Sequence, residues 1–445
     1  MSKTTWSSKL SFIVTTSAFA IGLGNIWRFP IVAGEGGGAA FLLIYVFLMI
    51  GIGIPLLTVE MALGRMSRST VLVGFGKLGK AGFWNGIGWL GSLSCFLIMG
   101  FYVMIMAWIA IYLWECLSGK ITSLNISSLS SHFDLVASSL TNVIAVIFGI
   151  MVLGLLVVKQ GLKTGLERYS KAMMLGLILL ILALSLWAAT LEGAVQGYQW
   201  LLSPDFSKIN FQVVMSALGQ LFFSIGVGMA VAFVFGSYTH EKENLIESAI
   251  YIATADTFFA FLSGLMLFPA IFSFGLEPNS GPNLIFVTMA SVFNSLEYGR
   301  LVGSVFFLLL FLAGFTSLIS SIQALKDSLQ DKFKLSNITA LEIVTGLITM
   351  ISIPVVFSYS NTPVLLFGRT IFETLDYLTS TILLPLGGLL TILFAGYRVG
   401  FGPLRLHLEK GVGKIRIKGY WEIVLLFVLP LALMVILING ILNNP

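Results

Sequence analysis

Charged residues are scarce in this sequence. Asp, Glu, Lys and Arg make up only 10% of its 445 residues, whereas an ordinary soluble domain carries about 25%. Hydrophobic residues account for 57% of the chain, and its mean hydropathy is +0.97. Polar groups are therefore too few to cover a soluble surface. This composition excludes a cytosolic enzyme and a disordered chain, and it predicts a polytopic helical membrane protein.

Cysteine and histidine are also rare, with two and three copies respectively. Cys95 and Cys116 fall in one apolar segment, and the histidines fall between apolar segments. Neither a disulfide framework nor a buried zinc site is therefore predicted. Because the sequence also offers no nucleophile–base pair and no cofactor-binding loop, we do not expect an enzyme. The net charge of +5 is interpreted as a topology signal, so no nucleic-acid partner is expected.

Continuous apolar runs of membrane-spanning length follow one another along the whole chain. If the N-terminus is cytoplasmic, most of the 25 Lys and Arg residues fall on the cytoplasmic side. The positive-inside rule then predicts a multi-pass plasma-membrane protein with the C-terminus outside and an odd number of spans. The eleven predicted spans are 11–33, 39–66, 85–117, 141–159, 170–190, 212–238, 247–275, 301–326, 338–358, 373–397 and 420–442.

Two of these spans contain a G-x-G pair at corresponding positions, Gly22-Leu23-Gly24 in the first and Gly226-Val227-Gly228 in the sixth. Glycine pairs can simply allow helices to pack closely. Paired interruptions in the two halves of a chain, however, are typical of a transporter binding site built from broken helices. We therefore predict an N-terminal gate segment (1–10), a five-helix repeat (11–200), an inverted second repeat (201–400), and a cytoplasmic loop with the last span (401–445).

Polar side chains accompany the predicted breaks inside otherwise apolar spans. Asn25, Ser224, Thr316 and Ser317 offer neutral oxygen ligands, which suit an alkali cation better than a transition metal. A carboxylate at mid-membrane, such as Asp256, is costly and predicts a functional role, although a protonated structural group is the alternative. Glu60 is expected to accept hydrogen bonds from backbone N–H groups that the breaks leave free.

Several motifs resemble those of the neurotransmitter:sodium symporter family. They are Gly22-Leu23-Gly24-Asn25-Ile26-Trp27-Arg28-Phe29-Pro30 with Glu35-Gly36-Gly37-Gly38, Gly53-Ile54-Pro55 through Glu60 to Gly64-Arg65, Gln220 to Ser224, and Ala313 to Ser317. The similarity covers essentially the whole chain, and several bacterial members also have eleven spans. It implies an all-α integral membrane protein of the LeuT fold, with discontinuous helices 1 and 6 and alternating access driven by a sodium gradient.

The resemblance also implies the site residues. The first of two sodium ions would be bound by Ala20, Asn25, Ser224 and Asp256, and the second by Ala18, Ile21, Ala313, Thr316 and Ser317. The substrate would contact Ala20, Leu23, Gly24, Ile98, Tyr102, Phe223, Ser224, Gly226, Met229, Ser317, Leu318 and Ser321. Arg28 and Asp376 would form an outer gate, and Lys3, Trp6, Tyr238, Gln323 and Asp331 an inner one.

Departures from the family pattern bear on the substrate. Monoamine transporters carry Asp at the position of Gly22, so here the anion is expected to come with an amino acid. Asp256 stands where Asn is more usual, next to the chloride position of chloride-dependent members, and its charge predicts chloride independence. Gly226, Met229 and Ser321 are smaller or more pliable than the leucine transporter's residues, which favours a bulky or aromatic side chain.

These observations predict a sodium-coupled symporter that takes up a hydrophobic L-amino acid across a bacterial cytoplasmic membrane. Its partners would be that amino acid and the lipid bilayer, and the oligomeric state stays open. Two alternatives are an amino acid sensor that does not transport and a proton-coupled transporter that uses Asp256.

Overall fold

The structure, a computed structural model, describes residues 5–276, 282–360, 362–366, 368–410 and 420–443. Helices dominate these residues, and the short antiparallel pair β1 (Leu365–Leu366) and β2 (Arg369–Thr370) is a small addition at one end. The helices that form the bundle are α1 (Lys9–Ala20), α2 (Leu23–Glu35), α3 (Ala39–Ser67), α4 (Gly82–Ser118), α5 (Leu140–Lys159), α6 (Leu162–Ala188), α7 (Phe211–Ile225), α8 (Val231–Ser237), α9 (Leu245–Ser273), α10 (Gly299–Phe333), α11 (Asn337–Tyr359), α12 (Ile371–Glu409) and α13 (Trp421–Leu442).

The described residues contain nine helices long and apolar enough to cross a membrane, and the bent pair α1–α2 makes a tenth. The expected sixth span consists of α7 and α8, with 15 and 7 residues. Because a helix rises about 1.5 Å per residue, neither piece alone crosses a hydrocarbon core of about 30 Å. The chain is therefore an all-α multi-pass membrane protein, and the count of eleven stays a prediction. Shorter helices in the connections are Val71–Gly79, Lys120–Ser123, Leu129–Ser138, Ala194–Leu202 and Leu284–Ser295.

Both expected breaks are present. The pair α1–α2 bends by 65°, and the last backbone hydrogen bond of α1 runs from Ile21 N to Ser17 O at 2.8 Å. Between α7 and α8, Gly226 (φ +61°) and Gly228 (φ +82°) adopt left-handed conformations, which cost glycine little. Helices α9 and α10 pack against α1, so the first break is enclosed by the bundle rather than exposed to lipid.

Helices α3 and α8 cross at two glycines. A Cβ atom added to Gly64 would lie 1.8 Å from the Phe233 carbonyl oxygen, and one added to Gly236 would lie 2.3 Å from the Met61 carbonyl oxygen. Real Cβ atoms do not approach a carbonyl this closely, so the backbones touch only because both residues lack a side chain. This crossing ties the second half-helix of the broken sixth span to the first repeat.

Replacing Gly64 by alanine is therefore expected to destabilise the protein by at least about 1–3 kcal/mol, the usual cost of overpacking. The apparent melting temperature of the detergent-solubilised protein measures this loss. Gly149→Ala is the matched control, since among the described residues no atom beyond its chain neighbours and the backbone of its own helix lies within 4 Å of its added Cβ. Alanine in an exposed helix should be neutral or slightly stabilising. Equal melting temperatures for the two variants would contradict the close crossing.

Candidate functional site

A buried polar cluster joins the two helix breaks. Asn25 Nδ2 donates to Asp256 Oδ1 at 2.8 Å, and Ser224 Oγ donates to both carboxylate oxygens at 3.0 and 2.8 Å. All three residues are buried. Among the described residues no Lys or Arg pairs with this carboxylate. An ionised carboxylate with only neutral donors leaves uncompensated negative charge, which favours a bound cation.

The backbone at each break is held by a side chain. The side-chain oxygen Oδ1 of Asn25 accepts from Gly22 N at 3.1 Å, while Nδ2 of the same side chain donates to Asp256. At the second break, Glu60 Oε1 accepts from Gly228 N at 2.8 Å. This contact is the kind expected for Glu60, because an unwound segment leaves amide groups without a helical partner.

Hydroxyl groups of α10 lie against the last turn of α1. Ser317 Oγ donates to the Phe19 carbonyl at 2.8 Å, and Thr316 Oγ1 donates to the Ala313 carbonyl at 2.9 Å. Both hydroxyls point their protons at carbonyls and keep lone pairs available. The carbonyl groups of Ala18 and Ile21 belong to the same helix end, where a helix has unsatisfied acceptors. The Ser317 contact therefore joins the two helices, α1 and α10, that carry the second set of predicted cation ligands.

A cavity of about 40 Å³ lies between the breaks, room for about three water molecules. Tyr102 OH accepts from Leu23 N at 3.4 Å at its edge. Of the predicted substrate contacts, Leu318 and Ser321 are buried in α10 and are not part of the cavity wall formed by the described residues. The wall consists of Phe19, Ala20, Gly22, Leu23, Gly24, Asn25, Ile98, Met99, Tyr102, Phe223, Ser224, Gly226, Met229 and Ser317.

Phe19 is a wall residue that the sequence analysis missed. A Cβ atom on Gly226 would lie 2.6 Å from its ring, so the space left by the missing side chain is filled by this phenyl group. Phe19 immediately precedes Ala20, the last residue of α1. Its position next to a predicted break could have identified it as a cavity residue. The size of the cavity therefore depends on Phe19 as well as on Gly226.

A larger space of about 320 Å³ opens on the side of the cavity that faces Arg28 and Asp376. The Arg28 guanidinium lies 5.3 Å from the centroid of the Phe223 ring. Tyr102 and Phe223 line both the small cavity and this vestibule, so they separate the two. Arg28 and Asp376 line the same vestibule as predicted, but no direct ion pair joins them in the part of the chain that is described.

The opposite end of the bundle is closed. Trp6 is buried, its Nε1 donates to the Phe235 carbonyl at 3.0 Å, and its backbone N donates to the Tyr238 carbonyl at 3.3 Å. Two of the predicted inner-gate residues, Trp6 and Tyr238, are thus in contact. Lys3 lies outside the described residues.

The other two predicted gate residues that are described, Gln323 and Asp331, have different partners. Gln323 Nε2 donates to Asp327 Oδ2 at 2.6 Å, and Tyr238 OH donates to the same oxygen. Asp331 instead accepts from the backbone N and the hydroxyl of Thr70, both at 3.0 Å. Asp327, which the sequence analysis missed, is therefore the carboxylate next to Tyr238.

Two of the histidines that fall between the predicted spans lie in helices. His132, in Leu129–Ser138, lies 2.7 Å from Glu115 Oε2 through its Nε2 atom. His407, in α12, accepts from Arg65 Nε at 2.9 Å. Both are therefore partners in structural polar contacts that connect distant segments.

Comparisons with known proteins agree with this architecture. The family described as "Sodium:neurotransmitter symporter family" matches residues 3–128 and 121–445. The uncharacterized sodium-dependent transporter YhdH of Bacillus subtilis is 35% identical over 98% of each chain, and an uncharacterized sodium-dependent transporter of Haemophilus influenzae is 31% identical over 98% of each. The crystal structure of MhsT in complex with L-phenylalanine has a TM-score of 0.89 and 33% identity, covering 98% of this chain and 99% of that one.

Proposed function

The chain belongs to the sodium:neurotransmitter symporter family, and from this membership we propose that it is a sodium-coupled symporter of a hydrophobic L-amino acid. The family consists of sodium-dependent transporters rather than enzymes. The observation that carries the proposal is the buried Asp256–Asn25–Ser224 cluster beside a cavity between two broken helices. A buried carboxylate next to a small enclosed cavity suits the joint binding of a cation and a zwitterion.

The polarity of the broken helices orders the ligands. The N-terminus of α2 favours an anion, so the substrate carboxylate would bind the Leu23 and Gly24 N–H groups and the Tyr102 hydroxyl. The C-terminal carbonyls of α1 and α7 favour cations, so the ammonium group would bind at Ala20, Phe223 and Ser224. The substrate carboxylate would complete the first sodium site, and the second ion would bind at Ala18, Ile21, Ala313, Thr316 and Ser317.

The two ends of the molecule support alternating access. A vestibule of about 320 Å³ leads toward the cavity from one side, whereas Trp6 closes the other. With the N-terminus cytoplasmic, as the distribution of Lys and Arg favours, the protein would accept substrate from outside. Transport then requires the Trp6 end to open and the vestibule to close.

An aromatic substrate is supported by MhsT, which was crystallised with L-phenylalanine. Chloride independence is supported by Asp256, whose charge lies where a bound anion would otherwise be needed. We propose both properties for this chain, with uptake undiminished when gluconate replaces chloride.

The direct test is a thermal-shift screen of twenty amino acids with and without sodium, because a ligand stabilises the folded state by mass action. A shift for aromatic amino acids that requires sodium is expected. Uptake and counterflow of L-[³H]phenylalanine in proteoliposomes then separate a transporter from a sensor, which would bind but not exchange substrate. Uptake driven by a pH gradient without sodium would instead indicate proton coupling through Asp256.

Phe19 is expected to set substrate size. Replacing it by leucine shortens the wall opposite Gly226 and should raise uptake of tryptophan relative to leucine by about tenfold, since each buried CH₂ is worth about 0.8 kcal/mol. Competition against L-[³H]phenylalanine uptake measures this ratio. Phe41→Leu, a buried ring outside the cavity wall, is the control and should leave the ratio unchanged. A wild-type ratio in Phe19→Leu would remove Phe19 from substrate selection.

The substitution Gly226→Ser is a poorer test of pocket size than Phe19→Leu. Gly226 has φ +61°, a left-handed conformation that costs other residues about 1 kcal/mol or more. The added Cβ atom would also meet the Phe19 ring. Uptake of every substrate would therefore fall, whatever the size of its side chain.

A further inference from the structure

An ion pair made by a buried lysine lies at the closed end of the bundle, outside the predicted ligand sites. Lys326 Nζ lies 2.7 Å from Asp327 Oδ1, and the Lys326 side chain is only 4% exposed. Burying two charges is costly unless each has further partners. Lys326 Nζ also donates to Asn337 Oδ1 at 2.8 Å, so the lysine joins the end of α10 to the first residue of α11.

The second oxygen of Asp327 connects this pair to Tyr238 and, through Tyr238, to the N-terminal segment. It accepts from both Gln323 Nε2 and the Tyr238 hydroxyl. Tyr238 follows α8, and its carbonyl accepts from the backbone N of Trp6. A continuous polar path therefore runs from the N-terminal segment through Tyr238 and Asp327 to Lys326 and α11.

We infer that Asp327, oriented by its ion pair with Lys326, is the positioning residue that latches this end of the transporter shut. Opening the end requires Trp6 and α8 to separate from α10, and the Tyr238–Asp327 hydrogen bond is the polar contact that such a movement breaks. A hydrogen bond to a charged acceptor is stronger than a neutral one. The ion pair with the buried lysine fixes the orientation of the Asp327 carboxylate. Among the described residues, Tyr238 is the residue outside α10 that donates a hydrogen bond to this carboxylate.

Asp331 has a different role in this arrangement. Its carboxylate caps the start of the helix Val71–Gly79 through Thr70, and Lys334 lies 3.3 Å from its other oxygen. Although Asp331 lies one helical turn beyond Asp327 on α10, it anchors a connecting helix and does not hold Tyr238.

This inference rests on the proposed alternating access, and hydrogen–deuterium exchange tests it without requiring transport. Asp327→Asn and Tyr238→Phe should each accelerate exchange in peptides covering 5–20 and 231–240 by about tenfold, because loss of the contact lowers the free energy of local opening. Peptides covering 282–295, at the other end, should exchange as in the wild type. Tyr238→Phe leaves the Asp327–Lys326 pair intact, so it remains informative if Asp327→Asn fails to fold.

Two further variants separate a latch from a general loss of packing. Asp327→Glu keeps the charge and should restore much of the slow exchange in 5–20. Asp331→Asn should accelerate exchange in 70–79 instead. Wild-type exchange of 5–20 in both Asp327→Asn and Tyr238→Phe would overturn the inference, as would acceleration of 5–20 by Asp331→Asn. Absence of sodium-dependent amino acid binding in wild type would overturn the proposed function but would leave the exchange result standing.

Discussion

Replacing Asp256 by asparagine is expected to reduce L-[³H]phenylalanine uptake to background in chloride-free buffer, and added chloride is expected to restore part of it. The substitution keeps the shape of the side chain and an oxygen acceptor for Asn25 and Ser224. It removes the negative charge that offsets the bound cations. Since a cation in a low-dielectric site without a counter-charge costs several kcal/mol, we expect at least about a hundredfold loss of activity.

Restoration by chloride depends on vacant hydrogen-bonding capacity near the carboxylate. Both polar atoms of the Gln220 amide are buried and have no hydrogen-bond partner among the described residues. Gln220 precedes Ser224 by one turn of α7, so the two side chains lie on the same face of the helix. The buried Ala260 adds no charge one turn after Asp256 on α9. An anion held by the Gln220 amide and the Ser224 hydroxyl would supply the charge that asparagine lacks.

The measurement compares uptake into proteoliposomes in sodium chloride and in sodium gluconate. Wild type should transport equally in both buffers. Asp134→Asn, the same substitution at an exposed position, should behave as wild type and controls for the overall change in charge. If Asp256→Asn transported at the wild-type rate in gluconate, the carboxylate would not be the counter-charge. If chloride failed to restore transport, Gln220 and its neighbours would not form an anion site.

The features that the sequence predicted well are those with a local cause. The glycine pair marks the second break because Gly226 and Gly228 adopt φ +61° and +82°, which cost glycine little. Isolated polar residues within apolar runs mark the Asp256 cluster because membrane interiors exclude them unless they have partners. Hydropathy likewise located the long helices, since each must cross the same apolar thickness.

Helix ends were predicted less well where a charged side chain has a partner within the protein. The eighth span was expected to end at Lys326, but α10 continues to Phe333 because this lysine is buried in an ion pair with Asp327. The tenth was expected to end before Arg398, but α12 continues to Glu409, and Arg398 Nε donates to the Gly79 carbonyl at 2.9 Å. Hydropathy analysis ends a span at a charged residue, because it does not distinguish a side chain exposed to water from one that pairs with a buried partner.

Long-range geometry explains the residues that were missed. Asp327 and Asp331 are separated by one turn on the same helix, so only the position of Tyr238 on another helix decides which of them it reaches. Phe19 is one apolar residue among many in α1, and its contact with Gly226 depends on how the two breaks face each other. No periodicity within one segment carries this information.

Replacing Gly22 by aspartate is expected to abolish binding of α-amino acids and to create binding of the corresponding amines. Gly22 has φ −123° and ψ −167°, an extended conformation that any residue adopts, so the backbone tolerates the change. A Cβ atom there lies 3.2 Å from both the Tyr102 hydroxyl and Ser317 Oγ, at the edge of the cavity. The new carboxylate would therefore lie where we propose that the substrate carboxylate binds.

Two carboxylates cannot occupy one small buried space in their ionised forms, since each disfavours the charge of the other. We expect the sodium-dependent thermal shift with L-phenylalanine to disappear in Gly22→Asp, which corresponds to at least about a hundredfold loss of affinity. Phenethylamine, which has the same ring and ammonium group without the carboxylate, should shift Gly22→Asp but not wild type. The protein would then supply the anion that an amino acid normally brings.

Gly22→Asn is the matched control, because it adds nearly the same volume without the charge. If only charge matters, this variant should retain a reduced shift with phenylalanine and gain none with phenethylamine. Equal loss of phenylalanine binding in both variants, without a gain for the amine, would mean that position 22 excludes side chains by volume alone. In that case the absence of a carboxylate at Gly22 would no longer argue for an amino acid substrate, and the pocket chemistry would rest on Tyr102 and the α2 N-terminus alone.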